Sequence, residues 1–190
     1  MCGIAGYIAN QLAGQAPLKK MTDAIIHRGP DGEGQYYAED FALGHRRLAI
    51  VDLSEAAAQP MHYLDRYVIT YNGEVYNHPE LREELQGHGY RFNSESDTEV
   101  ILASYDFWGV DCLNKFNGMW AFVLYDKQEQ QFFIARDRFG KKPLYYSQTA
   151  DHFVFCSEVK GIYASALVEK APNKSYLKDY LDKGPNEYEA

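Results

Sequence analysis

Cys2 lies one residue from the start of the chain, in Met1-Cys2-Gly3-Ile4-Ala5-Gly6. Removal of Met1 would leave a thiol and a free α-amine on one carbon. Their ordinary pKa values, about 8.5 and about 7.7–8.0, put both within reach of proton exchange near neutral pH. An N-terminal amine that activates its own side chain makes a nucleophile without a histidine. The plainer alternative is a small apolar residue that happens to be second.

Three further positions carry types suited to a small charged substrate. Arg47 shares a strand face with Phe41, Leu43, Ala49 and Val51, where a charge is costly unless paired. It reads either as an internal salt bridge or as an anchor for a substrate carboxylate, which guanidinium matches with two parallel hydrogen bonds. Asn72-Gly73-Glu74 reads first as a hairpin turn, yet a helix start follows it where a returning strand should be. The other reading is that Gly73 lets a backbone N–H approach a ligand and, with the Asn72 amide, forms a two-donor oxyanion hole. Asp97, in the first turn of a helix, is by default a carboxylate that satisfies free N–H groups and the helix dipole; it could instead hold a substrate ammonium. The stretch Arg136-Asp137-Arg138-Phe139-Gly140-Lys141-Lys142-Pro143 reads as a solvated turn without chemistry. The six histidines show no metal-ligand spacing, and no Walker-type phosphate loop is present.

The elements that must position these residues are legible. Residues 2–9, 41–52 and 118–126 are apolar on both faces, so each strand needs cover on two sides. Short turns at 126–130 and 148–151 make the later strands antiparallel hairpins. Antiparallel strands covered twice imply two stacked sheets with helices outside each, a four-layer α+β sandwich. The covering helices start at Pro17, carrying Leu18, Met21, Ala24 and Ile25; at Asn77, a cap with Pro79 and Glu80 in the first turn; and at Ser96-Asp97-Thr98-Glu99, a capping-box pattern ended by Gly109. A short helix from Ala171-Pro172-Asn173, holding Tyr176, Leu177, Tyr180 and Leu181 and ended by Lys183-Gly184-Pro185-Asn186, belongs to a tail whose texture changes near Gly161. The expected division is one domain over 1–165, with 166–190 a linker or the start of a missing domain.

Composition narrows the class. A chain of 190 residues with 46% hydrophobic and 24% charged residues is an ordinary globular domain that buries roughly 70% of its unfolded surface. Its net charge of −8 argues against a nucleic acid or an anionic membrane as partner. Cys2, Cys112 and Cys156 are odd in number and far apart, which fits a reducing compartment and gives no zinc knuckle. Without a signal pattern or an 18-residue apolar run, the expected location is the cytoplasm.

Several segments in order then resemble one family. Met1-Cys2-Gly3-Ile4-Ala5-Gly6, His27-Arg28-Gly29-Pro30-Asp31-Gly32, His45-Arg46-Arg47-Leu48-Ala49-Ile50-Val51-Asp52, Tyr71-Asn72-Gly73-Glu74-Val75-Tyr76-Asn77, Ser96-Asp97-Thr98-Glu99-Val100, Gly118-Met119-Trp120-Ala121-Phe122 and the run from Arg136 to Tyr146 are similar to the N-terminal glutaminase domain of asparagine synthetases. That domain is a class II glutamine amidotransferase of the N-terminal-nucleophile hydrolase superfamily, whose αββα sandwich agrees with the four layers. The resemblance implies that Cys2 attacks the side-chain amide of glutamine, with its α-amine shuttling the proton. It implies further that Asn72 and Gly73 form the oxyanion hole, that Arg47 grips the α-carboxylate, and that Glu74 and Asp97 receive the α-ammonium. Backbone around Ile50 and Val51 would line the pocket, and residues 54–60 would close over it. No cofactor or metal is implied for this half; ATP and magnesium belong to a C-terminal synthetase domain or subunit whose Ser-Gly-Gly-x-Asp-Ser loop is absent here. Three alternatives stand beside it: the glutaminase module of another class II amidotransferase, a different N-terminal-cysteine hydrolase, and a non-catalytic binding domain on the same fold.

Overall fold

Strands that are apolar on both faces need two covers, and the chain supplies them by stacking two sheets and flanking each with helices. The computed structural model describes residues 1–10, 13–50 and 52–184; the expected pocket residue Val51 and the Pro185-Asn186 helix end lie outside the described residues. In chain order come β1 (Gly3–Ala9), α1 (Gln15–Ala24), β2 (Gly32–Tyr37), β3 (Phe41–Arg47), β4 (Met61–Tyr63) and β5 (Tyr67–Val75). They are followed by α2 (His78–Gly87), α3 (Asp97–Trp108), α4 (Cys112–Lys115), β6 (Gly118–Asp126), β7 (Gln131–Arg136), β8 (Tyr145–Gln148), β9 (His152–Cys156), α5 (Val159–Ala164) and α6 (Lys174–Lys183).

Among the described residues one sheet has the order β2-β3-β1-β9-β8 and the other β4-β5-β6-β7. Every pairing in them is antiparallel, with Gly3 opposite Arg46 and Gly73 opposite Trp120. Phe41, Leu43 and Phe155 of the first sheet meet Val68 and Val123 of the second to form the middle of the sandwich. Gly6 makes room for this packing: a Cβ there would sit 2.4 Å from the Phe155 ring. On the outer face of the first sheet, α1 and α5 contribute Leu18, Met21 and Ile162 against Tyr7 and Val154. On the second, Leu81 and Leu85 of α2 and Val100 and Ile101 of α3 cover Ile69, Phe122 and Leu124. The four layers expected from the sequence are therefore the observed architecture. No helix among the described residues is long and apolar enough to cross a membrane.

Four details differ from expectation, each for a local reason. The strand assigned to 41–52 stops at Arg47, where the chain turns aside to wall a cavity. A strand over Gly32–Tyr37 went unseen because its Gly-Glu-Gly-Gln start gives no apolar alternation. Asn77 stands at the start of α2 but does not cap it; its amide donates to Lys115 O at 2.9 Å and its oxygen accepts from Asn117 N–H at 2.9 Å, tying down the entry to β6. Ser96 does cap α3, accepting from Thr98 N–H at 3.1 Å. Glu99, however, reaches past the expected capping box to the N–H groups of Asn93 and Ser94.

Candidate active site

Three segments converge at one end of the sandwich: the residues before β1, the chain leaving β3, and the second half of β5. Together with the start of α3 and the loop after β7 they enclose a cavity of about 100 Å³. A single water needs about 10–15 Å³ on this measure, so the space suits a small amino acid.

Cys2 is half-buried at its wall. Leu48 N–H donates to its Sγ at 3.4 Å, and the thiol faces Leu48 O at 3.5 Å. Its backbone is fixed independently, because Arg28 Nε donates to the Cys2 carbonyl at 2.9 Å while Arg28 Nη1 reaches Glu158 at 3.2 Å. Partial burial of Glu158 opposes its ionisation, but hydrogen bonds from Lys160, His27 and Arg28 prevail and hold its carboxyl at about 2. Met1, largely exposed, sits at the mouth of the cavity.

The two arginines of β3 point to opposite faces, as successive strand residues must. Arg46 is the buried one; it lies against α1, with Asp23 at 2.6 Å, Glu33 at 3.3 Å and Thr22 O at 3.0 Å. The internal salt bridge considered for Arg47 thus belongs to its neighbour. Arg47 lines the cavity, has no carboxylate within ion-pair distance among the described residues, and donates to Asp52 O at 2.5 Å and Ser54 O at 3.0 Å.

Asn72, Gly73 and Glu74 continue β5 opposite Ala121, Trp120 and Met119, so the hairpin-turn reading fails. Gly73 is required by packing: a Cβ would lie 2.5 Å from Met119 O and 2.5 Å from the Tyr71 ring. The Asn72 side chain, 1% exposed, lines the cavity, and its Nδ2 is buried without a hydrogen-bond partner. Glu74 lines the same space, half-buried. Asp97 is buried, but its carboxylate turns away from its own helix. It accepts the Tyr71 hydroxyl at 2.6 Å and Val75 N–H at 3.0 Å, while Ser96 serves the helix end. Burial, and then the Asp97 charge, keep the Tyr71 phenol well above its ordinary pKa.

The loop at 52–60 is pinned across the opening. Asp52 accepts Ser54 N–H at 2.8 Å and Glu95 N–H at 3.0 Å, and Gln59 bridges Tyr71 N–H at 2.6 Å and the Thr98 hydroxyl at 3.2 Å. Ile50 borders the cavity with its side chain 71% exposed.

His45 and Lys142 are among the cavity residues that the sequence did not single out. His45 is fully buried there, its Nε2 3.1 Å from Tyr71 O, and burial lowers its pKa to about 3. Lys142, placed by the sequence in a solvated turn, is 5% exposed and lines the same cavity as Cys2. Its position follows from Asp137, whose carboxylate collects the N–H groups of Trp120, Phe139, Lys141 and Lys142 and folds the segment inward. In sequence the only sign was an acid followed by glycine and proline within a few residues, a common turn composition. Among the described residues no group of three His, Cys, Asp or Glu side chains could hold a metal ion.

Residues 1–189 match a family model described as a glutamine amidotransferase domain. The chain is 39% identical over 192 residues to the glutamine-hydrolysing asparagine synthetase 3 of Bacillus subtilis, an alignment covering 98% of this chain and 31% of that protein. It is 45% identical to asparagine synthetase 1 of the same organism (85% of this chain, 26% of the relative) and 41% identical to asparagine synthetase 2 of Arabidopsis thaliana (85% and 28%). It thus spans no more than about a third of the length of these curated relatives. Among solved structures, the glutamine phosphoribosylpyrophosphate amidotransferase of B. subtilis, complexed with ADP and GMP, superposes with a TM-score of 0.73 at 21% identity, over 87% of this chain and 44% of that one. At that identity the likeness is one of fold.

Proposed function

The chain belongs to the glutamine amidotransferase family, and from that premise we propose that it hydrolyses glutamine to glutamate and ammonia at the Cys2 cavity. The observation that carries the reading is the convergence, on one small space, of a thiol, an unpartnered amide donor, an acid-free guanidinium and two carboxylates. Glutamine presents a partner for each of these groups: an amide carbon, its oxygen, an α-carboxylate and an α-ammonium.

Loss of Met1 frees the Cys2 α-amine. The sulfur then attacks the substrate's side-chain carbonyl while the amine takes the S–H proton. The Asn72 amide and the Gly73 backbone receive the developing oxyanion, where a preorganised donor acts most strongly. The amine returns the proton to the leaving nitrogen, ammonia departs, and a γ-glutamyl thioester remains. Water hydrolyses it to glutamate and the free thiol. Arg47 binds the α-carboxylate, Glu74 and Asp97 the α-ammonium, and backbone at Ile50 borders the substrate under the 54–60 loop. The cavity as described needs no cofactor for these steps.

The asparagine synthetase relatives support a second assignment: residues 166–190 lead towards a C-terminal synthetase domain or subunit that would take the ammonia and use ATP and magnesium. Three free cysteines support a reducing, cytoplasmic setting. The test is direct. Protein whose intact mass shows Cys2 as the first residue should release ammonia from glutamine, and Cys2→Ala should release none while keeping its melting temperature. Full activity in Cys2→Ala removes the nucleophile, and an inert chain beginning at Cys2 removes the glutaminase.

A further inference from the structure

Lys142 is not used by the reaction just described, and its surroundings call for an explanation. Its backbone is fixed on both sides, the N–H donating to Asp137 Oδ2 at 2.9 Å and the carbonyl accepting from Arg136 Nε at 2.8 Å. Its side chain is buried at the cavity wall. Among the described residues no carboxylate lies within ion-pair distance of its ammonium. Asp137 is nearby but committed to four backbone N–H groups. A buried ammonium without a counter-charge is expensive.

The groups that act on the lysine charge are few. Burial and then the Arg28 guanidinium disfavour it and lower its pKa; Cys2, Glu74 and Asp137 favour it, with Cys2 the strongest of the three. His45, Arg47, Asp52, Tyr71, Asp97 and, at the mouth, Met1 make up the remaining titratable wall of the cavity. Glu74 has the substrate ammonium as its partner in the proposed reaction, which leaves the sulfur.

We propose that Lys142 is a positioning residue for the nucleophile: its ammonium, left without a carboxylate at the wall of the Cys2 cavity, takes the Cys2 thiolate as its counter-charge. A cation beside a thiol favours the ionised, reactive form, and the effect is larger away from water. Lys142 itself neither gains nor loses a proton; the S–H proton is the one the α-amine carries to the leaving nitrogen. This role rests on Cys2 being the nucleophile.

The test is alkylation of the full chain by iodoacetamide, a small neutral reagent, across about pH 5 to about pH 9. Burial pushes the thiols of Cys112 and Cys156 up to about 12 and about 11, so labelling reports Cys2, and peptide mass verifies it. Lys142→Met should slow alkylation at pH 7 about tenfold and move the profile to higher pH, while Lys142→Arg should stay near wild type. Lys142→Gln, which keeps a polar head in the cavity, gives the same reading if the Met variant melts early. An unmoved profile in a folded neutral variant overturns the proposal. So does a raised KM for glutamine with alkylation unchanged, which would make the lysine a substrate contact. If the wild-type chain leaves glutamine intact while alkylation still depends on Lys142, the glutaminase reading falls and the positioning of Cys2 stands.

Discussion

The two sides of β3 treat polar groups in opposite ways. Towards α1, Arg46 is saturated, with two acids and the Thr22 carbonyl around it. Towards the cavity, Arg47 has carbonyls but no acid, Asn72 Nδ2 and His45 Nδ1 are buried without partners, and Lys142 lacks a carboxylate. Buried polar groups are almost always satisfied, since each unsatisfied one costs about 1–3 kcal/mol. Other buried polar atoms also lack partners, among them those of His78, Ser104 and Trp120, but of the two faces of β3 it is the cavity face that carries such deficits, and that is the side a ligand would complete. At β3, then, saturation goes with the α1 face and deficit with the cavity face, a contrast that substitution can break.

Cys2 apart, the largest expected effect falls on Asn72. Asn72→Ala should lower kcat roughly 10²–10³-fold, the cost of losing one oxyanion donor. Its melting temperature should hardly change, because the amide Nδ2 has no protein partner to lose. Ammonia release and a thermal melt decide the matter together. A variant that loses stability and keeps its rate would place Asn72 on the structural side.

Next comes the arginine pair, which sharpens the contrast within two adjacent residues. Arg46→Met should destabilise by about 1–3 kcal/mol through the partners it strands, with KM for glutamine close to wild type. Arg47→Met should instead raise KM by about ten- to a hundredfold with kcat little changed, since an anchor acts on ground and transition states alike. Urea melts and steady-state kinetics on both variants test it, and interchangeable outcomes would erase the distinction.

The sequence showed the layers better than it showed the deficits. Residues 118–126, apolar on both faces, gave β6 to the residue, and Ser96 and Gly109 bounded α3 correctly, because periodicity and caps are local. Cys2, Arg47, Asn72 and Asp97 could be picked out by type. Yet which arginine is paired depends on α1 meeting β3, and the freedom of Asp97 depends on Ser96 taking the cap. Lys142 was lost altogether because its burial is imposed by Asp137 gathering N–H groups from β6 and the loop after β7. A charged residue beside glycine and proline looks solvated until a carboxylate folds it inward.

The smallest effect at neutral pH is expected at His45, and there the contrast becomes a matter of proton linkage. Its Nε2 lies 3.1 Å from Tyr71 O and must donate, so in the neutral ring Nδ1 keeps a lone pair that nothing meets. Burial, helped by the Arg47 charge and opposed by the Tyr71 hydrogen bond, lowers its pKa to about 3, against about 6.5 in an unfolded chain. Between those values the unfolded chain binds a proton that the folded one refuses, so this contribution to stability is complete above about pH 6.5 and declines as pH falls towards 3. His45→Gln keeps an N–H donor for Tyr71 and removes the titration. The variant should match wild type at pH 7.5 and lose less on acidification, the difference reaching about 1.4 kcal/mol one unit below the unfolded value, near pH 5.5. Glu158, held at about 2, keeps its contribution above the ordinary carboxylate value and loses it as pH falls from there towards 2, so it does not act at pH 5.5 and below that is common to both proteins. His62, whose pKa burial also lowers, is common to both proteins and cancels. Equal acid slopes in urea unfolding would mean that His45 is protonated in the fold, and with both ring nitrogens then donors it would have to find a second acceptor, removing one of the deficits on which the cavity side of the comparison stands.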